Sequence, residues 1–139
     1  MPPEIRTVTL ERDYPQPPDR LWRALTQPHL IAEWLMPNDF RPEAGHPFTL
    51  KGEWGGVIDC EVIEVTPMTR LSYAWNFNAE EAAYNLRSTV TFRLEPTATG
   101  TKLTMEQTGF RPEQTQAFHG ARAGWTAFLD RLATTAATA

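Results

Sequence analysis

The side chains able to do chemistry are few and scattered. Asp59 and Glu61 stand two residues apart in the β-branched run Val57–Val65, and alternate residues of a strand share a face. Turned inward among apolar neighbours, either carboxyl would have a raised pKa and could orient a ligand or act as a general base. Turned outward they would be solvated, with Cys60 and Val62 facing in. A half-exposed antiparallel sheet keeps its charges outside, which favours the outward orientation. Glu64 joins the Cys60 face unless a bulge intervenes. Tyr73 shares its face with Leu71 and Trp75, so it points inward. Its hydroxyl then needs a partner: a side chain, a water or a ligand. No catalytic set is recognisable, and the only candidates for one are Glu61 and Tyr73. Asn76, Arg87 and Gln107 are the other polar groups on strand-like segments, and Arg87, out of phase with Val90 and Phe92, belongs outside.

Nucleophilic and metal chemistry find less support. There is no G-x-S-x-G elbow, and Cys60, the only cysteine, has no histidine near it in sequence. Among Val and Ile it reads as a small buried hydrophobe. His29, His46 and His119 are far apart, with no H-E-x-x-H pairing, so no metal and no cofactor are expected. His46 follows Gly45 in a loop. His119 flanks the apolar stripe of a helix.

The elements that must position these groups follow from periodicity. Residues 4–12 alternate as a strand with Val8 and Leu10 on one face. Prolines 15, 17 and 18 end it, because proline donates no ladder hydrogen bond. Pro18-Asp19 opens a helix carrying Leu21, Trp22 and Leu25, and Pro28 opens a second with Leu30, Ile31, Trp34 and Leu35, stopped by Pro37. From Phe40 to Thr108 the period is two. Strands are predicted over 48–51, 57–65, 71–77, 86–94 and 102–107, with turns at Gly55-Gly56 and Pro96–Gly100. Trp54 falls beside a hairpin tip, and 78–84 is a loose loop able to act as a rim or lid. A helix restarts at Gly109–Glu113, with Phe118, Ala121, Trp125, Phe128, Leu129 and Leu132 at helical spacing. Gly120 and Gly124 interrupt its stripe. Two helix glycines imply a close approach or a space kept open, since each costs up to about 1 kcal/mol against alanine. Ala133–Ala139 reads as a frayed tail. One strand, two short helices, an antiparallel meander and one long helix make an α+β fold, economically a curved sheet with the helix across its concave face.

Composition bounds the function. The chain has 139 residues, read as one domain, 41% apolar and 22% charged, with a net charge of −4. It lacks the basic excess that a phosphate backbone attracts. No apolar run spans a membrane, and the N-terminus carries no signal-type stretch. A small cytoplasmic protein is expected, monomer or homodimer, with no nucleic-acid or membrane partner. Five Trp, three Tyr and seven Phe are a high ring content.

Several segments carry a family resemblance. They are Leu21–Pro28, Trp34-Leu35-Met36-Pro37, Phe40–Gly45 with Phe48, Cys60–Pro67, Leu71–Trp75, Gly100–Thr104, Gly109-Phe110, and Gly124-Trp125 with Leu129. In them the chain resembles the START-like (SRPBCC, birch-pollen-allergen-like) superfamily, and within it the bacterial single-domain members of the heat-shock-protein-90 ATPase activator-like family. The resemblance covers about Val8 to Leu132. It implies a helix-grip fold, a six- or seven-strand sheet around the C-terminal helix, with a cavity between them that holds small hydrophobic molecules in relatives. A ligand-binding protein for a small apolar or aromatic molecule is the reading this favours. Its expected lining is Tyr73, Trp75, Phe92, Met105, Phe118, Ala121, Trp125 and Phe128. The alternatives are a cyclase- or hydrolase-like enzyme using an inward carboxylate, and a chaperone co-regulator.

Overall fold

Six strands form one antiparallel sheet in the order β1-β6-β5-β4-β3-β2. The computed structural model describes residues 5–53, 55–81 and 84–139, so the expectation for Trp54 lies outside them. β1 (Arg6–Tyr14) is one edge and β2 (Pro47–Lys51) the other. Between those edges the chain forms α1 (Pro18–Thr26) and α2 (Pro28–Trp34), each with proline in its first turn. Proline fits there because its missing N–H would be unpaired anyway. Gln27 closes α1 through its N–H on the Arg23 carbonyl (2.9 Å) and precedes Pro28 of α2. The residues Leu21, Leu25, Ile31 and Trp34 are buried, and the Trp34 Nε1–H donates to the Ala24 carbonyl (2.8 Å). The two helices pack on each other and on the long C-terminal helix.

β3 (Val57–Thr66), β4 (Arg70–Phe77), β5 (Leu86–Thr97) and β6 (Gly100–Phe110) form the meander. Their alternation decides the faces. Ile58, Cys60 and Val62 of β3, Leu71, Tyr73 and Trp75 of β4, and Leu86 to Leu94 at every second residue of β5 are buried. Pairing shifts between Val62 and Glu64, leaving Ile63 opposite no residue of β4 and half exposed. Because of this bulge, Glu64 does not extend the Cys60 face in simple alternation.

α3 (Thr115–Thr138) lies on the concave side, against α1, α2, β1 and β6. Tyr14, at the end of β1, donates its hydroxyl hydrogen to the Leu129 carbonyl (2.8 Å) and ties the helix down. Two expectations are corrected. The helix begins at Thr115, and Gly109-Phe110 belongs to β6. Gly109 holds φ +125°, where an added Cβ would collide with the Arg87 carbonyl oxygen, so the glycine serves a close approach between strands. The tail is also not frayed: the helix continues to Thr138, with Thr135 and Ala136 buried.

Candidate functional site

α3 changes character along its length. From Trp125 onward it presents Trp125, Leu129 and Leu132, all buried, and these reach the neighbouring elements. Its first half turns Ala117, Gly120, Ala121 and Gly124 toward the sheet. Where a helix packs on a sheet, interlocking side chains normally fill the space between them. Alanine and glycine cannot fill it, and a cavity of about 380 Å³ remains. A Cβ added to Gly120 would meet nothing within 4 Å, and one on Gly124 only Phe128 Cε2 at 4.0 Å. Of the two explanations the sequence offers for these glycines, the geometry selects a space kept open.

The opposite wall is Ile58 of β3, Trp75 and Phe77 of β4, Leu86 of β5, and Gln107 and Phe110 of β6. Met36, just beyond α2, closes one side. Tyr84, from the loop before β5, stands half exposed at the mouth. That loop is fixed to the start of α3. Gln114, fully buried, donates from Nε2 to the Asn85 carbonyl (2.8 Å), and the Tyr84 hydroxyl reaches Gln116 Oε1 (3.4 Å). A second hollow of about 250 Å³, with Glu33, Lys51, Glu53 and Arg131 on its rim, shares the walls Met36 and Phe128.

One buried polar chain runs through the wall. Gln107 Oε1 accepts from Trp125 Nε1 (2.7 Å), Gln107 Nε2 donates to Ser88 Oγ (3.0 Å), and Ser88 donates to the Trp75 carbonyl (2.6 Å). It locks the two indoles, whose ring centroids lie 5.2 Å apart. Trp75 and Trp125 therefore touch, and do not stand apart across a gap.

Of the residues expected at the cavity, Trp75, Ala121, Trp125 and Phe128 line it. Tyr73, Phe92 and Met105 do not. They are buried deeper along the sheet, where Tyr73 packs against Phe48 (5.1 Å) and Phe92 (6.0 Å), and Phe92 against Trp125 (5.7 Å). Phe118 turns to the side, edge-on to Phe110 (5.6 Å) with the Arg6 guanidinium over its ring. Strand phase identifies the inward face, but not which inward residues meet helix side chains and which meet space. Gln107 was visible only as a polar residue in phase with Leu103 and Met105.

The candidate catalytic pair is not assembled. Asp59 and Glu61 are exposed on the convex face, and Asp59 Oδ2 accepts from Asn78 Nδ2 (2.6 Å). Tyr73 faces inward, with burial, then Cys60, pushing its hydroxyl pKa well above the ordinary value. The enzyme alternative with an inward carboxylate thus loses its acid. Among the described residues lining the cavity there is no carboxylate. Burial first, then the charges of Asp59 and Asp39, push the Cys60 thiol up to about 12, so it is no thiolate at neutral pH. His46 rests beside the Asp39 carbonyl and His119 against Phe118. No three His, Cys, Asp or Glu side chains among the described residues gather as a metal would need. No described helix is long and apolar enough to cross a membrane.

Comparison with known proteins matches the family model described as Activator of Hsp90 ATPase homolog 1-like protein over residues 15–137. No curated protein matches the chain. Among solved structures, protein MLL2253 from Mesorhizobium loti is 56% identical with a TM-score of 0.92, over 94% of this chain and 96% of that one. DynU16, a putative protein in the dynemicin biosynthetic locus, is 26% identical with a TM-score of 0.83. That match covers 95% of this chain but 47% of DynU16, so the chain spans about half its length. CalU16 from Micromonospora echinospora shares the fold at 24% identity and a TM-score of 0.80, over 97% of this chain and 78% of that one.

Proposed function

The chain belongs to the Activator of Hsp90 ATPase homolog 1-like family, and from that premise we propose that it binds a small apolar or aromatic molecule between the sheet and the first half of α3. The carrying observation is an open, preformed cavity of about 380 Å³ whose wall is almost wholly apolar. Small-molecule sites are hollows of roughly 300–1,000 Å³ lined by apolar groups with a few placed polar ones. Apolar surface left facing water is unfavourable, yet here two glycines of α3 hold the space open where alanine would fit. The occurrence of DynU16 in a biosynthetic locus is in keeping with a protein that handles a small molecule. The binding role needs no catalytic group from the wall.

Naphthalene is a suitable probe. At 100 times its dissociation constant a ligand stabilises the folded state by about 2.7 kcal/mol, and contact with Trp75 and Trp125 gives a fluorescence signal. Gly124→Leu, which puts a branched side chain into the cavity, should abolish both effects while the protein stays folded. The reading fails if neither naphthalene nor other mono- and bicyclic arenes shifts the melting point. It also fails if Gly124→Leu binds them as well as the wild type does.

A further inference from the structure

We propose that Gln107 recognises an oxygen on the ligand's ring, so that the preferred ligand is an aromatic molecule bearing a hydroxyl group rather than a bare hydrocarbon. This rests on the cavity being a ligand site. A primary amide offers two N–H donors and two acceptor lone pairs. The orientation of this one follows from its partners' chemistry. An indole N–H can only donate, so the atom 2.7 Å from Trp125 Nε1 must be the Gln107 oxygen. Ser88 spends its one proton on the Trp75 carbonyl, so it must accept from Gln107 Nε2. One amide N–H and one lone pair remain, and no described residue supplies a hydrogen bond to either.

Their place makes this informative. Gln107 is 1% exposed yet forms part of the cavity wall. Among the described residues of that wall, apart from the two indole nitrogens, the only other polar side-chain group is the Tyr84 hydroxyl at the mouth, turned toward Gln116. Both amide atoms already have one partner, and the valences that remain lie in an otherwise apolar wall, where a polar group on a ligand can complete them. A ring hydroxyl both donates and accepts, so it can occupy either valence. The amide cannot swing to meet a differently placed group without breaking its bonds to Trp125 and Ser88, which gives the site positional selectivity.

The test compares naphthalene with 2-naphthol on the full chain at neutral pH, titrated by NMR on the Trp125 indole and Gln107 side-chain amide resonances. One added hydrogen bond predicts binding of 2-naphthol about tenfold tighter than naphthalene, although its hydroxyl is the more costly group to take from water. In Gln107→Leu the preference should fall to within about twofold or reverse. Should that variant not fold, the wild type still decides with 2-methoxynaphthalene, which accepts but cannot donate and should bind no tighter than 2-naphthol. Equal binding of naphthalene and 2-naphthol by the wild type, or a preference that survives Gln107→Leu, overturns the role of the amide and leaves the cavity reading standing. Binding of none of the probes overturns both.

Discussion

Replacing the two cavity glycines by alanine should make the protein more stable, and the size of the gain follows from where the new methyl groups go. Gly120 and Gly124 lie inside α3 in ordinary helical conformation, with nothing within 4 Å of a Cβ at the first and only Phe128 Cε2, at 4.0 Å, near the second. Neither substitution creates a clash, strains a turn or removes a hydrogen bond. What changes is helix propensity: glycine is about 0.8–1 kcal/mol worse than alanine in a helix interior, largely through the entropy its backbone loses. Both gains come from backbone propensity and neither new methyl group meets the other's surroundings, so together they should reach about 1.5–2 kcal/mol for the double variant. At this chain length each kcal/mol moves the melting midpoint by roughly 4 °C, so thermal unfolding followed by circular dichroism should show a rise of about 6–8 °C. Urea unfolding should show a higher midpoint with an unchanged slope. A neutral or destabilising outcome at either position would refute the reasoning, because it would mean the glycine serves a close approach that the cavity geometry excludes. A gain accompanied by weaker naphthalene binding would place the glycines among residues kept for room at the expense of stability.

Other outcomes follow from the same geometry. Glu61→Ala, on the convex face, should change stability by less than about 0.5 kcal/mol and leave naphthalene binding unaltered, as measured by chemical unfolding and titration. Tyr14→Phe removes the bond to the Leu129 carbonyl and should cost about 1 kcal/mol, read by urea unfolding. Burial raises the pKa of the Tyr14 and Tyr73 hydroxyls and takes the Cys60 thiol from 9.0 up to about 12. Raised values mean that the folded state holds these protons more tightly than the unfolded chain does. The stabilisation is therefore complete below about pH 9 and is lost as pH climbs past the unfolded thiol and phenol values. Melting points measured across alkaline pH should fall, and Cys60→Ala should remove the earliest part of that fall.

Much of this architecture could be read from residue order. The fault-free alternation of Leu71, Tyr73, Trp75 and Phe77 fixes which face of β4 is inward, and Pro18 and Pro28 mark helix starts to the residue. Alternation also favours Asp59 and Glu61 outside, where they lie. What escaped were features decided by neighbours distant in the chain. Gly109 looks like a helix approach, but Arg87 on β5 requires it as a strand glycine. Phe118 belongs to the apolar stripe by spacing, yet it sits one residue, or about 100°, from Ala117, and that turn carries it from the cavity to Phe110 and Arg6. Gln107 continues the phase of Leu103 and Met105, but its significance appears only once Trp125, eighteen residues on, supplies the N–H that orients it.

The rings illustrate why composition alone could not separate a filled core from a cavity. An unbroken series of aromatic contacts runs from Phe40 through Phe48, Tyr73 and Phe92 to Trp125 and Trp75, with each centroid pair 5.1–6.0 Å apart. Those rings satisfy one another and fill the centre of the sheet's concave face. Only the last two border empty space. The cavity begins where the facing helix stops offering large side chains. Its sequence mark is the run Ala117, Gly120, Ala121 and Gly124 on an amphipathic helix whose other half carries Leu129 and Leu132. An aromatic face opposite leucines packs, and an aromatic face opposite alanine and glycine leaves a gap the size of the missing side chains. For a sheet gripped around a single helix, the small residues of the helix are therefore the better guide to whether a pocket exists. The rings decide what kind of molecule would suit it.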